Sequence, residues 1–140
     1  MRIQWIAVAA LALASFSTSA QQAAPTPDVS PDIGFASVKE ALETLRAKPG
    51  VQVQITKPDS WIIITEPGNI QWSFAPETHK AYPAVSRREV KVDAGGDVKI
   101  ETRIRCESDK SECDKLTEEF IALNERIRQS IRARLQQQAR

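Results

Sequence analysis

Val98-Lys99-Ile100-Glu101-Thr102-Arg103-Ile104-Arg105-Cys106 alternates uncharged, mostly apolar residues with charged ones without a break. That period of two is the signature of a strand with one buried and one wet face. From about Ser111 the period lengthens to 3.6, and Leu116, Phe120, Leu123, Ile127, Ile131 and Leu135 form one stripe of a long helix. Glu112, Asp114, Glu118 and Glu119 stand in its first turns and Arg126, Arg128, Arg132, Arg134 and Arg140 towards its far end, the polarity that the helix dipole favours. Cys106 and Cys113 straddle the change of period. In an oxidising compartment such an isolated pair forms a disulfide, which would clamp the start of the helix to the end of the strand. The chain entropy of so small a loop makes it worth about 2–3 kcal/mol. A metal site is the alternative use, but two cysteines and the single, distant His79 fall short of the usual four ligands.

Working back from that strand, Gly95-Gly96 closes a hairpin with a strand at Glu89–Asp93. Ile70, Trp72 and Phe74 alternate with Gln71 and Ser73, and Glu66-Pro67-Gly68-Asn69 suits a type II turn. Trp61-Ile62-Ile63-Ile64-Thr65 does not alternate, so this strand is apolar on both faces and belongs inside the sheet. Val51, Val53 and Ile55 mark one more strand. Ahead of it Ser37-x-x-Glu40 is a capping box for a short helix carrying Val38, Ala41, Leu42 and Leu45, stopped by Pro49-Gly50. The expected fold is α+β over residues 35–138: a five-stranded antiparallel meander with the short N-terminal helix and the long C-terminal helix packed on one face.

The N-terminus reads as an export signal. Arg2, an apolar run from Ile6 to Phe16 and the small residues Ser17–Ala20 correspond to the n-region, h-region and cleavage site of a signal peptide over residues 1–20. The run is about eleven residues, against the roughly twenty that span a bilayer, and no later segment would anchor the protein in a membrane. Residues 21–34, with Pro25, Pro27 and Pro31, read as a flexible lead. Cleavage also removes Arg2 and leaves eighteen basic against eighteen acidic side chains, a balance that argues against nucleic-acid binding.

No catalytic set assembles from the sequence. There is no phosphate loop, no G-x-S-x-G elbow and no histidine pair on a helix, and no cofactor is expected. Glu66, Glu77, Glu89 and Glu101 read as solvated. Three features stand out as partner-binding candidates. The first is the aromatic stretch from Trp72 to Arg88, which gathers Trp72, Phe74, His79, Tyr82, Arg87 and Arg88 around a proline-stiffened loop, residues 75–84. Trp72 and Phe74 read equally well as core there, Tyr82 as cover for the sheet edge and His79 as an exposed residue. The second is Trp61 and its isoleucines: with both helices on one face, half of them face outward and need the 75–84 loop or a ligand to shield them. The third is the length of the last helix, about 42 Å from Ser111 to Gln138 over a sheet of short strands. Ile131 and Leu135 would then overhang, free to pair with a second copy in a homodimer or with another partner.

W-S-F-x-P at Trp72–Pro76, H-x-A-Y-P-A at His79–Ala84, C-x6-C-D-x-L at Cys106–Leu116 and F-x-x-L-N-E-R at Phe120–Arg126 resemble the pattern of a group of small exported proteins of Gram-negative bacteria. The resemblance implies a periplasmic address, with a secreted one as the alternative, and carries over no catalytic or binding residue. Together these readings predict a periplasmic, non-enzymatic module that binds a protein or envelope component. The competing expectations are a small envelope hydrolase or transferase using His79 with a carboxylate, and a small-ligand carrier using the sheet face at Trp61.

Overall fold

The computed structural model describes residues 29–140; the expected signal peptide and residues 21–28 lie outside them. The order of elements is β1 (Val29–Ser30), α1 (Val38–Ala47), β2 (Gln52–Ile55), β3 (Ile62–Glu66), β4 (Ile70–Phe74), β5 (Ala84–Val92), β6 (Val98–Cys106) and α2 (Lys110–Gln138). The fold is α+β, and β2 to β6 form the expected antiparallel meander. The sheet has six strands, however, in the order β1-β6-β5-β4-β3-β2, because β1 adds to β6 as a parallel edge strand.

Local chemistry accounts for the elements. The Ser37 hydroxyl accepts the Glu40 amide at 3.1 Å and the Glu40 carboxylate reaches back to the Ala36 amide at 2.8 Å, so the first turn of α1 satisfies its own free N–H groups. Gly68 takes a φ of +88° in the turn before β4, the left-handed conformation read from its place after Pro67. Cys106 and Cys113 are joined, with Cα atoms 5.7 Å apart, and the bond ties the last residue of β6 to the first turn of α2.

The two helices lie on opposite faces of the sheet, a correction to the single-face packing expected above. On one face Val38, Ala41 and Leu45 of α1 pack with Ile64, Trp72, Phe74 and Val85. On the other, Leu116 and Phe120 of α2 pack with Ala84 and Ile104, flanked by Trp61 and Leu123. Connectivity gives the reason. The chain leaves β1 beside β6 and must reach β2 at the far edge, so α1 carries it across one face; α2 follows β6 directly and folds back over the face still open. On β3 this buries Ile64 against α1, whereas on the other face Ile63 and Thr65 stay half-exposed and Trp61 is covered by His79 of the 75–84 loop together with Phe120. Fully burying a single Leu or Ile side chain contributes about 1.5–3 kcal/mol, so each layer supplies several such increments.

Two further expectations change. Residues 29–34, read as the end of a flexible lead, belong to the fold: Val29 and Ser30 pair with Thr102 and Arg103, and Ile33 is 3% exposed in the α1-side core. The short apolar spacing around three prolines hid this. Likewise α2 does not overhang a short sheet. β5 and β6 are nine residues each, about 30 Å, because β5 begins at Ala84 rather than near Glu89. The hairpin they form runs under the far end of the helix. There Arg128 donates to the Val98 carbonyl at 3.3 Å, Arg132 pairs with Asp97 at 3.1 Å, and half-buried Ile131 and Leu135 sit close by, Leu135 lying against Gly96.

Candidate functional site

Strand pairing separates the aromatic candidates that looked like one surface. Trp72, Phe74 and Arg87 point to the α1 face, Arg88 to the α2 face. Trp72 and Phe74 are 3% and 1% exposed and serve as core. Phe35 meets Trp72 edge-on at 5.8 Å, and the Arg87 guanidinium lies 5.8 Å from the indole centroid. The Trp72 Nε1 donates to Glu66 at 2.6 Å, and Lys48 also bonds to that carboxylate. Burial works against the charged form of Glu66, but the bonds from Lys48 and Trp72 and the charges of Lys48 and Arg87 prevail and hold its pKa below the usual carboxylate range. Glu66 is therefore a half-buried anchor, not the solvated turn residue its sequence position suggests. Tyr82, 42% exposed, borders a shallow recess beside Val38 and Leu42 of α1.

On the α2 face the 75–84 loop returns towards the helix. The imidazole of His79 meets Trp61 edge-on at 5.2 Å and Trp61 meets Phe120 at 6.0 Å. The loop fixes His79 itself: its amide donates to the Pro76 carbonyl at 2.9 Å and its Nδ1 accepts the Ala81 amide at 3.1 Å. Beside this trio opens a cleft of about 360 Å³. Ser73 of β4 forms its floor, Trp61, Leu116, Phe120 and Leu123 its walls, and Glu119 and Arg126 its rim. It exists because α2 runs along β6 and leaves the β3–β4 half of that face uncovered. A second recess of about 380 Å³ continues past Leu116 and Glu119 to His79, Lys80, Glu112 and Lys115. There a bond from Lys115 holds the Glu112 carboxyl below its ordinary range, with the charges of Lys115 and Lys80 adding to it.

No protein-family model matches the chain, and no curated protein or solved structure does. The site rests on its own geometry.

Of the sequence-predicted residues, the structure brings Trp61 and His79 together at the cleft, puts Arg88 on the same face, and leaves Trp72, Phe74, Tyr82 and Arg87 on the other. Further along α2, Leu135 lies against Gly96 of the hairpin and Ile131 is half-buried one turn before it. Sequence reasoning missed Ser73, Leu116, Phe120, Leu123 and Arg126 as cleft residues. The apolar ones read as ordinary core stripe, and only the two-sided β3, which demands cover on both faces, pointed to them. Among the described residues no three His, Cys, Asp or Glu side chains converge as a metal ligand set, and no helix is long and apolar enough to cross a membrane. Below the cleft the buried Asn124 amide donates from Nδ2 to the Thr102 hydroxyl at 2.7 Å, while its Oδ1 has no partner among the described residues.

Proposed function

We propose that this chain is an exported, non-catalytic binding module that works in the periplasm and takes a protein or envelope component into the cleft between α2 and the sheet. The observation that carries the reading is the uncovered half of the α2 face. A domain of this size ordinarily covers its sheet, and here half-buried Trp61, backed by the buried Phe120, lines a cleft beside a polar floor. A volume of about 360 Å³ falls within the range of small-ligand sites and also admits one or two side chains of a protein. The export pattern of residues 1–20 and the Cys106–Cys113 bond support an oxidising address outside the cytoplasm.

The test is site-specific photocrosslinking in the periplasm of the native host. A photoreactive amino acid replaces Leu123 at the cleft or, as control, Glu43 on the outer side of α1. A discrete adduct formed from position 123 and absent from position 43 is expected. Adducts of equal yield from both positions, or none from either, would remove the reading.

A further inference from the structure

Strand register distributes charge very unevenly between the two faces. The α1 face of β3 to β6 carries Glu66, Arg87, Glu89, Lys91, Lys99, Glu101, Arg103 and Arg105. On the α2 face Arg88 is the only charged strand residue among those described, in a row with Thr65, Gln71 and Thr102. Removing a guanidinium from water is unfavourable unless a partner offsets it. Burial does lower the pKa of Arg88, although an arginine keeps its charge at any ordinary pH.

Other partly buried charges in the protein have counter-ions: Arg87 has Glu89, Arg128 has Glu125 and Glu66 has Lys48. Among the described residues Arg88 has only the neutral side-chain oxygen of Gln71 as a side-chain partner, and no acidic strand residue shares its face of the sheet. Gln71 is the cross-strand partner of Arg88 on β4, so that bond sets the guanidinium between β5 and β4. Gln71 stands two residues from Ser73, the floor of the cleft, and on the same face. Arg126, on the rim, likewise makes no ion pair among the described residues. The rim's one carboxylate, Glu119, stands seven residues back, about 10 Å along the helix axis.

We propose that the cleft binds a molecule with an apolar body and an anionic head, the body against Trp61, Phe120 and Leu123 and the head, a carboxylate or phosphate, on Arg88 with Arg126. Arg88 has five N–H donors in a planar fork, one of them engaged by Gln71, and such a fork grips these oxyanions bidentately. The inference rests on the cleft being the binding site and adds the class of ligand.

Calorimetry on the mature protein with octanoate, octyl phosphate, octanol and octyltrimethylammonium, each below its micelle concentration, tests it. Octanoate or octyl phosphate is expected to bind at least about tenfold more tightly than octanol, and the tighter of the two identifies the head group. Arg88→Gln should weaken the anion about tenfold, the loss of one charge-assisted contact, and leave octanol unchanged. Arg126→Gln, a substitution at an exposed site that cannot unfold the domain, should weaken the anion several-fold. Equal affinity for octanol and both anions would overturn the anionic head while leaving the cleft standing. Tightest binding of the ammonium probe would overturn it in favour of Glu119. Binding of none of the four would overturn the cleft reading as well.

Discussion

Replacing Glu66 by Gln asks whether the α1 face is held by a charge or only by shape. The Glu66 side chain is 9% exposed and accepts from Trp72 and Lys48. A Gln side chain still accepts from the indole, so what is lost there is the charge-assisted part of the bond, about 1 kcal/mol. The Lys48 pair adds less: that lysine is 54% exposed, and solvent-screened pairs contribute about 0.2–1 kcal/mol. Together the substitution should lower stability by about 1–2 kcal/mol at neutral pH, or about 4–8 °C in melting temperature per kcal/mol for a domain of this size. The pH dependence follows from the lowered pKa. A carboxyl whose folded pKa is depressed contributes stability above its unfolded value, near 4.5, and that contribution is lost as pH falls through the folded value. Urea melts of wild type and Glu66→Gln, followed by tryptophan fluorescence, should therefore differ at neutral pH and draw together as pH falls below the usual carboxylate range. A gap that keeps its size as the pH is lowered, or none at neutral pH, would refute the reasoning.

Breaking the disulfide with Cys106→Ser and Cys113→Ser should leave a folded domain that is about 2–3 kcal/mol less stable; unchanged melting under oxidising conditions would mean the bond clamps nothing. Ile33→Ala should cost about 2–4 kcal/mol in urea unfolding, as expected of a buried core position, whereas a flexible lead would show no effect. Asn124→Ala should cost about 1–3 kcal/mol by leaving the buried Thr102 hydroxyl without its partner, and a smaller loss would show that water satisfies that hydroxyl.

Much of this architecture is legible in the chain. The Ser37–Glu40 cap, the alternation of Val98–Cys106 and the stripe from Leu116 to Leu135 each declare their element, and two cysteines across a strand–helix boundary declare their bond. Trp61–Thr65 even states that both faces of the sheet need cover. What the sequence does not state is which layer covers which face. That depends on β1, two residues whose strand character appears only when they meet β6, because it places the start of α1 at the edge opposite β2. β5 was hidden for a different reason: Ser86-Arg87-Arg88 looks like loop until Glu89 and Gln71 are seen to partner the two arginines on opposite faces. The same separation explains the site. Trp72 and His79 are neighbours in sequence, but alternation along β4 sends the first into the core, while the 75–84 loop delivers the second to the cleft.

The central claim is that ligands enter on the α2 face. Without residues 1–20 the chain has two tryptophans, Trp61 and Trp72, one on each face, so 5-fluorotryptophan labelling gives a probe and its internal control in a single fluorine NMR spectrum. Titration with octanoate should shift or broaden the Trp61 resonance and leave that of Trp72 in place. A shift confined to Trp72, or equal shifts at both, would contradict the account.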